Sequence, residues 1–311
     1  MADYLTFKKS YRKSLAKEIE KLLDIENVEI TRQFVSWDSF SFLVEIHSKP
    51  IYVAKIFKFP NWPTPGHLES VFELLSAQSI SHENIVHLAH KHDVFPYGWQ
   101  LSEFIPGGNA KDHLKRDDLN RDTYFRKTAE KLKKVHEIKL EYFGSLTNPK
   151  EQFKTYAELI EYEIKESTDY ELASEFKHYS AVIDEIVNQL SNYLSKHKHF
   201  SATVVHNDVS SSNIMWNDGD PVIIDWVDAL AAPPLRDFAT LTYRKYHTVL
   251  PELEEGYGKT IDRDELRFHQ FHRFLTLAKY YYETNDIYEF ESMMYRAGEL
   301  LERDIPFGCW N

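Results

Sequence analysis

The chain has 311 residues, of which 42% are hydrophobic and 28% charged, and its formal net charge is −12. This length and mix predict a globular protein of one large domain or two lobes, and exclude a disordered or fibrous chain. The acidic balance excludes nucleic-acid binding by a broad basic face. It favours a cationic small-molecule partner drawn to a carboxylate-lined cleft, although an acidic surface can also serve solubility alone.

Three features predict an intracellular, cytoplasmic protein with no membrane contact. The first thirteen residues are rich in charged side chains and lack a long apolar segment, so no signal peptide is expected. No apolar run reaches the roughly 18 residues of a membrane span. Cys309 is the sole cysteine, which excludes an internal disulfide and suits a reducing compartment. The oligomeric state is not readable from the sequence.

The first hundred residues alternate between helix and strand patterns. Residues 9–24 place apolar side chains at helical spacing and predict an amphipathic helix, and residues 67–78 predict a second, main helix. Strand-like runs surround that second helix, at 28–34, 40–47, 51–59, 85–88, 94–95 and 100–104. Strands, one main helix and more strands predict an α+β lobe with a small antiparallel sheet.

The pattern changes after residues 105–108, which read I-P-G-G. Residues 121–139, 151–198 and 261–303 are long, charged and aromatic at helical spacing. The Pro-Gly-Gly stretch is therefore a candidate hinge between two lobes. We expect a nucleotide-binding lobe over residues 1–104 and a larger, mostly helical lobe over residues 105–311.

One segment of the second lobe carries a recognisable chemistry. Residues 206–213 read H-N-D-V-S-S-S-N, and residues 222–226 read V-I-I-D-W. Phosphoryl transfer needs one carboxylate to receive the proton of an attacking hydroxyl, which the spacing assigns to Asp208. It also needs an amide oxygen and a second carboxylate to hold Mg²⁺ against nucleotide phosphates, which the kinase order assigns to Asn213 and Asp225.

This segment resembles the catalytic segment of the aminoglycoside phosphotransferase and choline kinase superfamily, small-molecule relatives of the protein kinases. The resemblance implies a two-lobed protein-kinase-like fold and ATP- or GTP-dependent transfer of a phosphoryl group to a hydroxyl. Asn207 replaces the commoner glycine of H-G-D, and H-N-D is typical of choline kinases. The I-D-W that contains Asp225 is closer to the aminoglycoside branch. The two motifs therefore indicate the superfamily but do not decide between its two branches.

The resemblance also implies a lysine for the α- and β-phosphates and a carboxylate that holds it. Lys55, in the third strand-like run, stands where the kinase fold keeps that lysine. Its partner is expected on the following helix. Glu73 has the right spacing before His82 and is favoured, while Glu69, one turn earlier on the same face, also fits.

Other parts of the nucleotide site are expected around this lysine. The loop over residues 34–40 contains no glycine, unlike the phosphate-covering loop of kinases. Ser36 and Ser39 are therefore the candidate hydrogen-bond donors to phosphate there. Backbone groups of Glu103 and Ile105 resemble the hinge that pairs with the nucleotide base. Asp237, in an R-D-F-A run, resembles the aspartate that braces the catalytic loop.

The acceptor is open at this point. An aminoglycoside site would use carboxylates, whereas a choline or ethanolamine site would add an aromatic cage; sugars, homoserine and macrolides also fit the family. Aromatic candidates for the cage, which equally suit a core, are Tyr243, Tyr246, Tyr280, Tyr281, Tyr282 and Trp310. A non-catalytic kinase-like binding protein is the rival of another class, favoured by the glycine-free loop. The segment between Asp225 and Arg236 is too short for a protein-kinase activation loop.

Overall fold

The computed structural model describes residues 6–34, 36, 38–244, 248–303 and 305–309. The first lobe contains these elements in chain order: α1 (Ser10–Leu23), β1 (Val28–Phe34), β2 (Ser39–Ile46), β3 (Lys49–Phe57), α2 (His67–Ala77), β4 (Ile85–Ala89) and β5 (Trp99–Glu103). The strands form one antiparallel sheet in the order β1-β2-β3-β5-β4.

One face of this sheet is the core of the first lobe. Buried side chains of β2, β3 and β5, among them Phe42, Ile56 and Leu101, pack against Leu15 and Ile19 of α1. Lys55 pairs with Ser41 and Gln100 across the neighbouring strands and therefore points to the other face. Two polar residues therefore flank Lys55 on that face of the sheet.

The predicted short strand at residues 94–95 is wrong. This segment is a turn, closed by a 2.7 Å hydrogen bond from the Gly98 amide to the Phe95 carbonyl. Phe95 is fully buried within the core of the first lobe. An apolar residue that the pattern assigned to a strand is thus buried from a turn.

The second lobe is mostly helical and includes short strands. Its elements are α3 (Ala110–Arg116), α4 (Arg121–Val135), β6 (Lys139–Leu140), β7 (Phe143–Gly144), β8 (Gln152–Phe153), α5 (Tyr156–Thr168), α6 (Ser180–Lys196), β9 (Ala202–Val205), β10 (Ile214–Asn217), β11 (Asp220–Ile223), β12 (Leu230–Ala232), α7 (Leu235–Thr242), α8 (Leu250–Tyr257), α9 (Arg263–Glu283) and α10 (Ile287–Glu302). Strands β10 and β11 form a hairpin, and the remaining five form a sheet in the order β6-β9-β12-β7-β8. The predicted α+β architecture of a small antiparallel-sheet lobe and a larger helical lobe is confirmed.

The segment that joins the lobes is fixed to the β10–β11 hairpin. Gly107 has φ +99°, and a Cβ there would lie 2.1 Å from the carbonyl oxygen of Trp216. The next residue, Gly108, accepts a 2.8 Å hydrogen bond from the Trp216 amide. Glycine is needed because only a residue without a side chain combines this backbone conformation with so close an approach.

Helix α2 packs with the second lobe although it precedes the linker. Its buried residues Leu68, Val71 and Leu75 belong to the same core cluster as Trp226 and Phe238. A separate cluster holds α5, α6, α9 and α10 together. The lobe boundary at residue 104 stays a prediction, and packing across it is extensive. Within the described ranges, no helix is long and apolar enough to cross a membrane.

Candidate active site

The loop between β9 and β10 carries the predicted catalytic residue and is held by buried hydrogen bonds. Asp237 at the start of α7 accepts from the His206 amide at 3.0 Å and from the Asn207 amide at 2.7 Å. The His206 ring is buried and lies 2.9 Å from the Ile224 carbonyl oxygen. Burial alone would raise the pKa of the Asp237 carboxyl, but its hydrogen bond with His136 keeps that pKa below its usual range.

Asp208 and Asn213 are bonded to each other within this loop. The Asn213 side-chain amide donates to Asp208 Oδ2 at 2.8 Å and to the Asp208 carbonyl at 3.0 Å. These bonds use Nδ2, and Asn213 Oδ1 accepts no hydrogen bond from the described residues. The spacing of five residues therefore places an amide group beside the carboxylate that is predicted to accept the proton.

Asp225 lies where the two lobes meet. It follows β11 in a left-handed conformation, with φ +67°. Its Oδ1 accepts a 2.7 Å hydrogen bond from Lys55 Nζ of β3. Its amide donates to Glu83 Oε1 at 2.9 Å. Lys55 of β3 and Glu83, which precedes β4, thus both contact the residue that follows β11 in the second lobe.

The carboxylate beside Lys55 is Glu83 and not the predicted Glu73. Glu73 and Glu69 are both exposed on α2, whereas Glu83 is only 5% exposed. Burial would lower the pKa of the Lys55 ammonium, but Asp225, Glu83 and Asp38 together raise it above its ordinary value. The helix itself was predicted correctly. Its buried face packs against the second lobe, however, and its glutamates do not contact Lys55.

The donor set fits a hard divalent cation. Asn213 Oδ1 and the second carboxylate oxygen of Asp225 are oxygen ligands of the kind that Mg²⁺ prefers. No group of three or more His, Cys, Asp or Glu side chains suited to a metal occurs in the described part of the chain. Magnesium in kinases is held by one or two protein ligands together with phosphates and water, so two protein oxygens are sufficient.

A further carboxyl group, Asp228, lies close to this centre. Burial, followed by the negative charges of Asp208 and Asp225, raises the pKa of Asp228 to about 7. Arg273 opposes the shift. Groups whose pKa is shifted by burial and by neighbouring charges cluster at functional sites.

Ser39 belongs to a network of hydroxyl groups at the start of β2. Its Oγ contacts Asp38 Oδ1 at 3.1 Å, Ser36 Oγ at 3.0 Å and Ser41 Oγ at 2.9 Å. Ser36 also donates to Asp38. Ser39 is buried, and its role as a hydrogen-bond donor to phosphate stays a prediction. Loop residues 35 and 37 lie outside the described residues.

The predicted base-binding segment leaves β5 in an ordered conformation. The Glu103 amide donates to the Asn84 carbonyl, and the Phe104 amide donates to the Ile51 carbonyl, both at 2.9 Å. These bonds fix the chain immediately before Ile105. Backbone groups of Glu103 and Ile105 remain the predicted contacts of a nucleotide base.

Three residues that the sequence analysis did not select complete the site. Glu83 stood within a segment that was noticed only for its neighbour His82, and Asp228 follows Asp225 by three residues. Arg273 of α9 donates to Asp208 Oδ1 at 2.7 Å. Spacing could have suggested the first two, whereas no local signal points to Arg273, which is 65 residues from its partner.

Comparison with known proteins gives the family. The sequence profile described as the phosphotransferase enzyme family (APH) matches residues 38–269. The chain belongs to this family. The match spans both lobes and includes Lys55, Asp208, Asn213 and Asp225. No curated protein sequence matches the chain significantly.

Solved structures share the two-lobed fold of this APH-family chain at low sequence identity. A spectinomycin phosphotransferase, APH(9)-Ia, in complex with ADP and spectinomycin is 15% identical, with a TM-score of 0.65 over 94% of this chain and 98% of that one. An aminoglycoside phosphotransferase APH(4)-Ia variant with AMP-PNP and hygromycin B is 12% identical, with a TM-score of 0.70 over 95% and 98%. A choline/ethanolamine kinase family protein from Mesorhizobium loti is 13% identical, with a TM-score of 0.60 over 88% of each chain. At such low sequence identity, the structural similarity establishes the protein-kinase-like fold alone.

Proposed function

We propose that this protein is a small-molecule kinase that transfers a phosphoryl group from ATP to a hydroxyl group. The observation that carries the proposal is the pairing of Asp208 with Asn213, whose carbonyl accepts a 2.9 Å hydrogen bond from the amide of Ile224, the residue before Asp225 of the Asp225–Lys55 ion pair. Related folds in complex with ADP or AMP-PNP support an adenine nucleotide as donor, and GTP is the alternative. A cytoplasmic location, expected from the sequence, is part of the same proposal.

Each side chain has one task in this reaction. Asp208 orients the acceptor hydroxyl and receives its proton, while Asn213 and Asp225 would hold the metal. When bound, Mg²⁺ neutralises charge on the nucleotide phosphates. Lys55 positions the α- and β-phosphates, and its ion pair with Asp225 holds it at the cleft beforehand. Alignment and electrostatic stabilisation supply the rate, with no covalent enzyme intermediate.

Replacement of Asp208 tests the assignment. In Asp208→Asn we expect kcat to fall by at least about 100-fold, because a positioned proton acceptor contributes that much or more. Nucleotide affinity, measured by calorimetry with Mg-AMP-PNP, should stay within a few-fold of the wild type. The matched control is Asp118→Asn, which changes a carboxylate paired with Arg116 and His113 on the surface. Wild-type turnover in Asp208→Asn would contradict the assignment.

The non-catalytic alternative makes a different prediction. A non-catalytic kinase-like nucleotide-binding or regulatory protein would show no nucleotide consumption with any acceptor, and a lack of thermal stabilisation by both Mg-ATP and Mg-GTP would also favour this alternative. The proposed kinase should be stabilised by at least one of the two nucleotides, because a ligand that binds only the folded state raises its apparent stability. Consumption of that nucleotide should require an acceptor.

A further inference from the structure

The Asp208 carboxylate is held from two sides. On one side Asn213 Nδ2 donates to its Oδ2 at 2.8 Å, and on the other Arg273 Nη2 donates to its Oδ1 at 2.7 Å. These are the only hydrogen bonds that the carboxylate accepts from the described residues. Each oxygen thus has one fixed donor, and the two donors together set the plane of the carboxylate. Asn213 belongs to the same loop, whereas Arg273 lies in α9.

Arg273 contacts the catalytic loop at a second point. Its Nη1 donates to the Asn207 carbonyl at 3.2 Å. Because a guanidinium group is planar and its donors have a fixed spacing, the two bonds fix the backbone of residue 207 relative to the side chain of residue 208. The ammonium group of a lysine is a point charge on a flexible stem and has no such fixed spacing. The contact therefore depends on arginine and not on positive charge alone.

Hydrogen bonds rather than close packing hold the loop on this side. Asn207 and Arg273 both line a cavity of about 190 Å³. Residues beside a cavity lack part of the van der Waals contacts that close packing supplies. Asp237 fixes the amides of the loop, and Arg236 Nε donates to Asn207 Oδ1 at 2.7 Å. None of these bonds reaches the Asp208 carboxylate, so its position depends on Asn213 and Arg273.

The environment of Arg273 favours a partner of Asp208 over a group that binds the acceptor. The Arg273 side chain is 17% exposed, and its charge is matched by Asp208. Its Nε is buried and makes no hydrogen bond with the described residues. The guanidinium carbon lies 5.9 Å from the centroid of the Tyr243 ring. The guanidinium group is therefore directed at the loop and enclosed on its Nε side.

Helix α9 is tied to the same loop by the preceding residue as well. His272 Nε2 lies 3.1 Å from Glu163 Oε2, and Glu163 accepts two hydrogen bonds from Arg236, at 2.8 and 2.9 Å. Arg236 in turn donates to Asn207. Two consecutive residues of α9 thus reach the loop, one directly and one through α5 and α7. The position of Arg273 relative to Asp208 is fixed by this second connection.

We propose that Arg273 is a positioning residue of the phosphoryl transfer, which fixes the Asp208 carboxylate against the acceptor hydroxyl without binding the acceptor. The inference rests on the proposed kinase function. The hydroxyl oxygen forms a bond to the γ-phosphorus, the bond from that phosphorus to the bridging oxygen breaks, and the nucleoside diphosphate leaves. The hydroxyl proton goes to Asp208, while Arg273 stays protonated throughout. A displacement of about 1 Å at such a group can cost about 100-fold in rate.

A kinetic double-mutant cycle with the full chain tests the proposal. The acceptor is the one that gives the fastest consumption of Mg-ATP or Mg-GTP among aminoglycosides, choline, ethanolamine, other amino alcohols and sugars. Arg273→Gln should lower kcat by at least about 30-fold in the wild-type background. In the Asp208→Asn background the same change should lower it less than about threefold, because no proton acceptor is left to position.

Binding measurements and matched variants accompany the cycle. In Arg273→Gln the KM for the acceptor and the Kd of Mg-AMP-PNP should stay within about threefold of the wild type. Arg273→Lys keeps the charge and one donor, so its kcat should lie only about 3- to 10-fold below the wild type. It replaces Arg273→Gln in the cycle if that variant does not fold. The control is Arg267→Gln on the same helix, whose guanidinium donates to the Leu300 carbonyl away from the site.

Hydrogen exchange provides a readout that needs no acceptor. Arg273→Gln should speed exchange of the Asn207 and Asp208 amides by at least about tenfold, because the loop loses both bonds to α9, and should leave the β9 amides unchanged. Unchanged exchange of the loop amides would overturn the proposal.

The kinetic outcomes distinguish the two levels of inference. An equal loss of kcat in the two backgrounds would overturn the positioning role and leave the kinase function standing. A raised KM for the acceptor at unchanged kcat would do the same, because Arg273 would then bind the acceptor. Failure of both Mg-ATP and Mg-GTP to bind would overturn the kinase function and the positioning role together.

Discussion

Asn207 shows how one residue shapes the catalytic loop. Its φ of +66° lies in the left-handed region, which asparagine tolerates better than other side chains and glycine adopts freely. Its amide is held by Asp237, and its Oδ1 accepts a 2.7 Å hydrogen bond from Arg236 Nε. Asparagine therefore preserves the turn for which glycine is the commoner choice and adds a contact to α7.

Two substitutions at this position separate the backbone effect from the side-chain bond. Asn207→Gly and Asn207→Ala both remove the Arg236 contact, but only alanine is strained at positive φ. We expect Asn207→Ala to be less stable than Asn207→Gly by about 1 kcal/mol in urea unfolding at equilibrium. Equal free energies of unfolding for the two variants would contradict a left-handed conformation at residue 207.

The identity of the carboxylate that holds Lys55 can be decided kinetically. Glu83 is buried beside Lys55 and bonded to the Asp225 amide, whereas Glu73 is exposed on α2. We expect Glu83→Gln to raise the KM for nucleotide at least about tenfold, because removal of its charge weakens the set of anions that holds the ammonium. Glu73→Gln should behave as the wild type. The reverse pattern would restore Glu73 as the partner.

The site residues differ in how far the sequence could predict them. Asp208, Asn213 and Asp225 lie within twenty residues, so local spacing alone was enough to group them. Glu83 required the orientation of α2, which is set by burial of its other face against the second lobe. Arg273 reaches Asp208 only because α9 packs beside the loop, and a contact of that kind depends on tertiary packing rather than on spacing.

At the scale of elements, three helices meet through one buried ion pair. Glu163 of α5 binds Arg236 of α7 through two hydrogen bonds and lies 3.1 Å from His272 Nε2 of α9. Burial alone would raise the pKa of Glu163, but Arg236 and His272 hold it well below its ordinary value. The pair therefore ties together the elements that form the acceptor side of the site.

Removal of the Glu163 charge should destabilise the fold in a pH-dependent way. We expect Glu163→Gln to lower the free energy of unfolding by about 3 kcal/mol at pH 7, because Arg236 is left buried without its counter-ion. A carboxyl group whose pKa is lowered by folding stabilises above its unfolded-state pKa of about 4.3, and this contribution is lost as pH falls further. Urea unfolding should therefore show the difference between wild type and variant constant from pH 6 to 8 and shrinking below about pH 4. A difference that grew on acidification would contradict this assignment.

Element positions were predictable where periodicity extends over several turns or residues. The predicted strand at residues 28–34 coincides with β1, and the predicted helix at 67–78 ends one residue beyond α2. The helical pattern at 151–198 is instead divided into α5, a short 3₁₀ helix and α6, and no glycine or proline marks the break at 169–173. Strands β6, β7 and β8 have two residues each, too few for any periodic signal.

At the scale of the whole molecule, contacts between the lobes converge on the end of β11. Lys55 and Glu83 both contact Asp225, and His67 Nε2 at the start of α2 lies 3.2 Å from the Trp226 carbonyl oxygen. Helix α2 adds apolar contacts with the core of the second lobe. The cleft that carries the proposed chemistry is thus also the place where the two lobes stabilise each other.

This arrangement predicts that the two lobes unfold together. Leu75 of α2 is fully buried in the core that α2 shares with the second lobe, whereas Ile19 of α1 is fully buried in the sheet lobe. Leu75→Ala and Ile19→Ala should each cost about 2–5 kcal/mol, the range for such cavities. Hydrogen exchange of β3 and β9 amides should report the same loss in both lobes for either variant, because a cooperative unit loses stability throughout. Separate transitions, with Ile19→Ala affecting β3 alone, would show that the lobes unfold independently.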